Sequence, residues 1–140
     1  MSRIFWDTNL FIYLFEANGA FTERVAEIRE AMNRRGDQLF TSTLTVGEVL
    51  AGPARAERND VAKKYEQALV ESCVLVPFDV PAAREFAQIR RDRSVKPPDA
   101  IQLACAAVAK IDLFITNDER LSKTIVPGIQ FIPPLAKAFL

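Results

Sequence analysis

The chain has 140 residues, of which 49% are hydrophobic and 26% charged, a balance that gives one domain, residues 1–140, with a real core. Its 18 Lys and Arg match 18 Asp and Glu, which argues against nucleic-acid binding by bulk charge and leaves room only for a local basic patch. There is no histidine, so acid–base chemistry falls to carboxylates, Lys, Tyr, Cys or metal-bound water. Cys73 and Cys105 form no CxxC pair and read as buried thiols, which suits a reducing compartment. The apolar run from Ile4 to Phe15 is broken by Asp7 and Asn9, lacks a secretory pattern and is too short to span a bilayer. A cytoplasmic protein without membrane association is expected.

In chain order, Ile4-Phe5-Trp6 reads as a buried parallel strand with Asp7 at its carboxyl end. Leu10 to Phe15 follows as a short helix, opened by Thr8-Asn9 and broken by Asn18-Gly19. Phe21, Val25, Ile28 and Met32 recur at helical spacing up to Gly36. Leu39-Phe40-Thr41 is a second strand, and Thr43 to Leu50 a helix stopped by Gly52-Pro53. Val61, Tyr65, Ala68 and Leu69 line the next helix, and Cys73 to Val76 form a third strand. Asp79 and Pro81 start a helix with Ala83, Phe86 and Ile89 inward. Pro97-Pro98 precedes a helix from Asp99 to Lys110. Leu113 to Ile115 is a fourth strand and Ile129 to Ile132 a weak fifth. Strands alternating with helices imply an α/β fold: three layers, α/β/α, around a parallel sheet of about five strands in the order 3-2-1-4-5.

Four carboxylates fall at strand ends or helix starts: Asp7, Glu48, Asp99 and Asp118. Three have plain structural explanations. Glu48 follows Thr45 by three, as in a capping box; Asp99 is a first-turn acid; Asp118 suits the cap of a short helix from Glu119 to Lys123. Asp7 has none, because a strand end has no dipole that calls for an acid. With strands one and four adjacent across a switch point, all four acids can face one crevice. Close pairs would repel by about 1 to 4 kcal/mol at partly screened distances. A divalent cation relieves that, and an all-oxygen set suits Mg²⁺ or Mn²⁺ rather than Zn²⁺.

These pieces resemble the PIN-domain ribonucleases, most of all VapC-type toxins of toxin–antitoxin pairs. The resemblance rests on Asp7-Thr8-Asn9, on Glu48 within Val46-Gly47-Glu48-Val49, on Asp99-Ala100-Ile101-Gln102-Leu103-Ala104, and on Thr116-Asn117-Asp118, in order over nearly the whole chain. It implies a metal-dependent endoribonuclease in which Asp7, Glu48, Asp99 and Asp118 are the catalytic, metal-holding acids. Asn9 and Thr116 match polar positions beside the site. Family members carry Asp or Asn at the last position, so Asn117 and Asp118 both stand as candidates for it. A metal-activated water would leave 5′-phosphate and 3′-hydroxyl ends without attack by a 2′-hydroxyl. Glu48 is a candidate to accept the water's proton.

For RNA contact, Arg93 and Lys96 are the cations nearest Asp99 in sequence. Arg90, Arg91, Arg55, Arg58, Lys63 and Lys64 read mainly as solvated helix faces, and Trp6 as core rather than a stacking platform. The resemblance also implies a tRNA or rRNA target, a homodimer, and a small VapB-like antitoxin. An antitoxin Arg would pair with Asp7 and Asp99, and an apolar helix would cover Phe11, Phe15 and Leu50. Two other readings compete. One is a PIN fold without catalysis that binds RNA or protein. The other is a haloacid-dehalogenase-like phosphatase, against which Asn9 stands where that family places a second Asp.

Overall fold

Residues 1–17 and 19–138 are described by a computed structural model of the chain. Strand β1 (Arg3–Trp6) lies between β2 (Gln38–Ser42) and β4 (Ile111–Ile115), and β3 (Val74–Val76) and β5 (Ile129–Phe131) close the edges. All pairings are parallel and the order is β3-β2-β1-β4-β5, as expected. Phe5 sits opposite Phe40 on one side and Phe114 on the other, and it stacks on Phe114 with ring centroids 5.0 Å apart.

Side-chain alternation splits the core into two layers. Ile4, Trp6, Leu39, Leu113 and Ile115 face one side. They pack against α1 (Thr8–Glu16), α2 (Thr22–Arg35), α3 (Thr43–Arg55) and α4 (Asn59–Ser72), which supply Leu10, Phe11, Val25, Ile28, Met32, Val49 and Leu69. Phe5, Phe40, Val76 and Phe114 face the other side, against α5 (Val80–Ile89) and α6 (Pro97–Val108), which supply Ala82, Leu103 and Cys105. The result is the expected α/β/α arrangement. Trp6 is fully buried and is a core residue. Cys105 is buried and Cys73 partly so; burial pushes their thiols up to about 11 and about 12.

Several boundaries differ from the sequence reading. Helix α1 begins at Thr8, directly after β1, because the Asp7 carboxylate caps it, accepting from the Thr8 N–H at 2.9 Å. Asp7 therefore does sit at a helix N-terminus, contrary to expectation. Of the expected break at Asn18-Gly19, Asn18 lies outside the described residues; the helix closes at Ala17, in a left-handed conformation. Helix α3 runs through Gly52-Pro53 to Arg55. Pro53 removes only one N–H near the helix end, while Ala56 and Arg58 donate to the carbonyls of Gly52 and Pro53 at 3.1 and 2.8 Å. Helix α6 starts at Pro97 rather than Asp99, since its first positions need no N–H partner. After Asp118, only a 3₁₀ turn, Leu121–Lys123, forms.

The first helix offers less open apolar surface than expected. Phe11 is buried, packed on Trp6. Phe15 stacks on Tyr65 at 4.9 Å, and Tyr13 lies against Phe21 at 5.1 Å. Among the described residues, no helix is long and apolar enough to cross a membrane.

Candidate active site

The carboxyl ends of β1 and β4 and the starts of α1, α3 and α6 converge on a cavity of about 270 Å³. Asp7, Asn9, Glu48, Asp99 and Asp118 line it, with Thr8, Ile12, Pro98 and Gln102. Among the described residues, four carboxylates and no cation thus border this space. Each arrives by simple geometry. Asp7 ends β1, and its N–H donates to the carbonyl of Ile115 on β4 at 3.0 Å. Glu48 lies one turn into α3. Asp99 is in the first turn of α6, held there by Pro97 and Pro98. Asp118 follows β4 after the Thr116 bridge.

Asp7 is only 8% exposed. Burial pushes its carboxyl up to about 6; the hydrogen bonds from Thr116 and Thr8 oppose this, while the charges of Asp99 and Glu48 add to it. Thr116, fully buried, donates its hydroxyl to Asp7 Oδ2 at 2.8 Å and accepts from the Asp118 N–H at 3.0 Å. It thereby ties the first acid to the last. The Asp99 carboxyl is also raised, by burial and then by Asp118. Asp118 is lowered, chiefly because the Arg120 guanidinium spans both its oxygens, Nε to Oδ1 at 3.1 Å and Nη2 to Oδ2 at 2.9 Å.

Glu48 is not part of a capping box with Thr45. Ser42 caps α3, accepting from the Thr45 N–H at 3.3 Å. Glu48 Oε1 instead accepts the Thr8 hydroxyl proton at 2.7 Å. Of the two candidates for the last position, Asp118 lines the cavity, and Asn117 turns away to donate to the Tyr13 hydroxyl at 2.9 Å. Arg93 and Lys96 are exposed and line neither this cavity nor its neighbour. Lys96 acts from the rim, its charge lowering both Asp99 and Asp118.

Two features escaped the sequence reading. A second cavity, of about 280 Å³, shares Asp99 and Asp118 as a common wall and adds Ser94, Arg120, Lys123 and Thr124. The cation closest to the acids is therefore Arg120, on the turn after Asp118, rather than one before α6. Behind the acids lies a buried network of Ser42, Thr45, Thr8 and Gln102.

Among the described residues, no three His, Cys, Asp or Glu side chains already stand at ligand spacing; the acids border a shared space rather than a finished coordination shell. Their chemistry nevertheless fits a hard divalent cation. The donors are all oxygens, and the carboxyls of Asp7 and Asp99, raised first by burial and then by neighbouring acids, are ones whose ionised form a cation would stabilise.

The PIN domain family model matches residues 4–126. The chain belongs to the PIN domain family. PIN domains are generally nucleases that use divalent metal ions, so the phosphatase reading falls away. A comparison with curated proteins finds no match. Solved structures share the PIN fold. A chain of VapBC2 from Rickettsia felis, bound to a DNA fragment from their promoter, aligns with a TM-score of 0.75 and 10% identity over 94% of this chain and 98% of that one. DNA-bound VapBC from Salmonella typhimurium gives 0.73 and 21% over 96% and 99%. A toxin–antitoxin complex from Klebsiella pneumoniae gives 0.68 and 24% over 90% and 94%.

Proposed function

We propose that this PIN domain, spanning 1–140, is a Mg²⁺- or Mn²⁺-dependent endoribonuclease and the toxin of a toxin–antitoxin pair. The observation that carries this is the meeting of Asp7, Glu48, Asp99 and Asp118 at one cavity with no cation among its lining residues. Asp7 and Asp99 would hold the metal, with Glu48 and Asp118 completing its surroundings. When bound, the cation supplies charge neutralisation and an activated water for phosphodiester hydrolysis. Glu48 takes the water's proton. Asn9 offers its amide to the substrate from the cavity wall, and Thr116 holds Asp7 in place. Arg120, Lys123 and, from the rim, Lys96 attract the RNA backbone, with exposed Arg93 as a further candidate contact. The products carry 5′-phosphate and 3′-hydroxyl ends.

A tRNA or rRNA is the proposed target and the cytoplasm the site of action. Solved relatives of the same fold are VapBC complexes, which supports a small VapB-like antitoxin as partner. An Arg from that partner would fit the acid cavity through bidentate pairing. Homodimerisation is proposed from family resemblance.

The test is cleavage of purified tRNA and rRNA with Mg²⁺, Mn²⁺ or EDTA, followed by end-group analysis. We expect metal-dependent cuts with 5′-phosphate ends, abolished in Asp7→Asn and Asp99→Asn. Undiminished cleavage by Asp7→Asn, or 2′,3′-cyclic phosphate ends, would refute the assignment.

A further inference from the structure

Gln102 is an unusual residue for its place. It lies on α6, one turn beyond Asp99, in the apolar stretch Ala100-Ile101-Gln102-Leu103-Ala104, and is 2% exposed. A buried primary amide is costly unless its donors and acceptor are matched. Here all are. Nε2 donates to Thr8 Oγ1 at 2.9 Å and to Thr45 Oγ1 at 2.8 Å, and Oε1 accepts from the Ser42 hydroxyl.

The direction of these bonds matters more than their number. An amide nitrogen has two protons and no acceptor capacity. Both threonine hydroxyls must therefore accept from it, and each has a single proton left to place. For Thr8, that proton goes to Glu48 Oε1, 2.7 Å away. For Thr45, the open neighbour is Thr41 Oγ1 at 2.8 Å, and Thr41 in turn meets the Trp6 carbonyl at 3.0 Å. The opposite amide orientation would place an acceptor against Thr8 and draw its proton away from Glu48. Ser42 fits the observed orientation: its oxygen accepts from the Thr45 N–H that it caps, and its proton goes to the amide oxygen.

We propose that Gln102 is a positioning residue for this active site. By presenting donors only, it commits the Thr8 hydroxyl to Glu48, which anchors one carboxylate oxygen to the protein and leaves the other for the cavity. Gln102 touches neither metal nor substrate in this role. The inference rests on the reading of the site as a metal-dependent nuclease.

The test compares wild type with Gln102→Met, similar in length but without amide donors, and with Thr8→Val and Thr8→Ser. Three quantities are measured well below each melting temperature: kcat and KM for RNA cleavage, and Mn²⁺ affinity of the RNA-free protein by calorimetry. Residues that orient a metal site from behind typically change affinity or activity 10- to 100-fold. We therefore expect Gln102→Met to lower kcat and Mn²⁺ affinity together by about that factor, with KM for RNA unchanged. Thr8→Val should do the same, Thr8→Ser should retain function, and Thr8→Val added to Gln102→Met should cost less than about twofold more, because both act through one hydroxyl. If Gln102→Met does not fold, Gln102→Leu carries the test: it is apolar, close in volume and without donors, so the same loss is expected. Wild-type protein that binds Mn²⁺ and cuts RNA, beside a folded Gln102 variant within twofold of it in both, overturns this inference alone. So do fully additive losses in the double variant. Wild-type protein that does neither overturns the reading of the site, and this role with it.

Discussion

Asp7 serves two needs that oppose each other. As the cap of α1 it is best ionised, yet burial and the neighbouring Asp99 and Glu48 push its carboxyl up to about 6 from 3.8. A carboxyl raised on folding binds a proton more tightly in the native state. Its stabilising contribution is therefore fully present below about 3.8 and is lost as pH rises through about 6. In metal-free protein above that pH the deficit is about 3 kcal/mol, at roughly 1.4 kcal/mol per unit. Asp7→Asn should remove it while weakening the bonds from Thr8 and Thr116, for a net gain of about 1–2 kcal/mol. Melting curves in EDTA should show the variant more stable than wild type at pH 7.5 and the advantage gone by pH 4. A variant less stable at pH 7.5 would mean that Asp7 is ionised without strain. At this scale the four acids were legible because each stands at a recognisable strand end or helix start. Gln102 was not, since a lone amide in a helix reads as surface. The signal was present in its neighbours: Ala, Ile, Leu and Ala on every side leave no exposed face for it. Arg120 was overlooked because its relation to Asp118 depends on a tight turn rather than a helix.

Individual elements were legible wherever periodicity ran long enough. Strand cores, their order, the inward face of α4 and most of that of α2 followed from apolar spacing; Phe21 instead precedes α2 and is exposed, and on α5 it is Ala82, not Ala83, that turns inward with Phe86 and Ile89. The errors came at breakers. Gly52-Pro53 looked like a stop, but a proline two residues from a helix end removes little, and α3 extends past it. The same helix yields a prediction. Gly47 is helical and exposed, and an added Cβ would meet nothing within 4 Å. Gly47→Ala should raise stability by about 0.5–1 kcal/mol, whereas at Gly52 a Cβ would press on the Pro53 ring. Gly128 is the counterpart. It precedes β5 at φ +99°, and a Cβ there would stand 2.6 Å from the carbonyl oxygen of Ala107, just before α6 ends. Gly128→Ala should cost about 2 kcal/mol or more, from backbone strain and the collision together. Urea titrations of the two variants should move the midpoint in opposite directions. A neutral Gly128→Ala would show that the β5 edge yields freely.

For the molecule as a whole, the sheet order accounts for the site. Setting β1 beside β4 brings Asp7 within reach of Thr116 and so links the two ends of the sequence motif set, 109 residues apart. That long-range link was legible from strand order alone. The second cavity beside the acid cavity was not, because it depends on how the segment from Ser94 and the turn at Arg120 approach each other across Asp99 and Asp118. For the RNA substrate proposed above, this shared wall has a consequence. A polynucleotide lying across both chambers passes the acids with strand on either side, and neither terminus needs to enter. A covalently closed RNA circle containing the target should therefore be opened to a single full-length linear product, at a rate comparable to the same RNA supplied linear. A protein that digests the linear form and leaves the circle intact would be reading an end, and the two chambers would not act as one track.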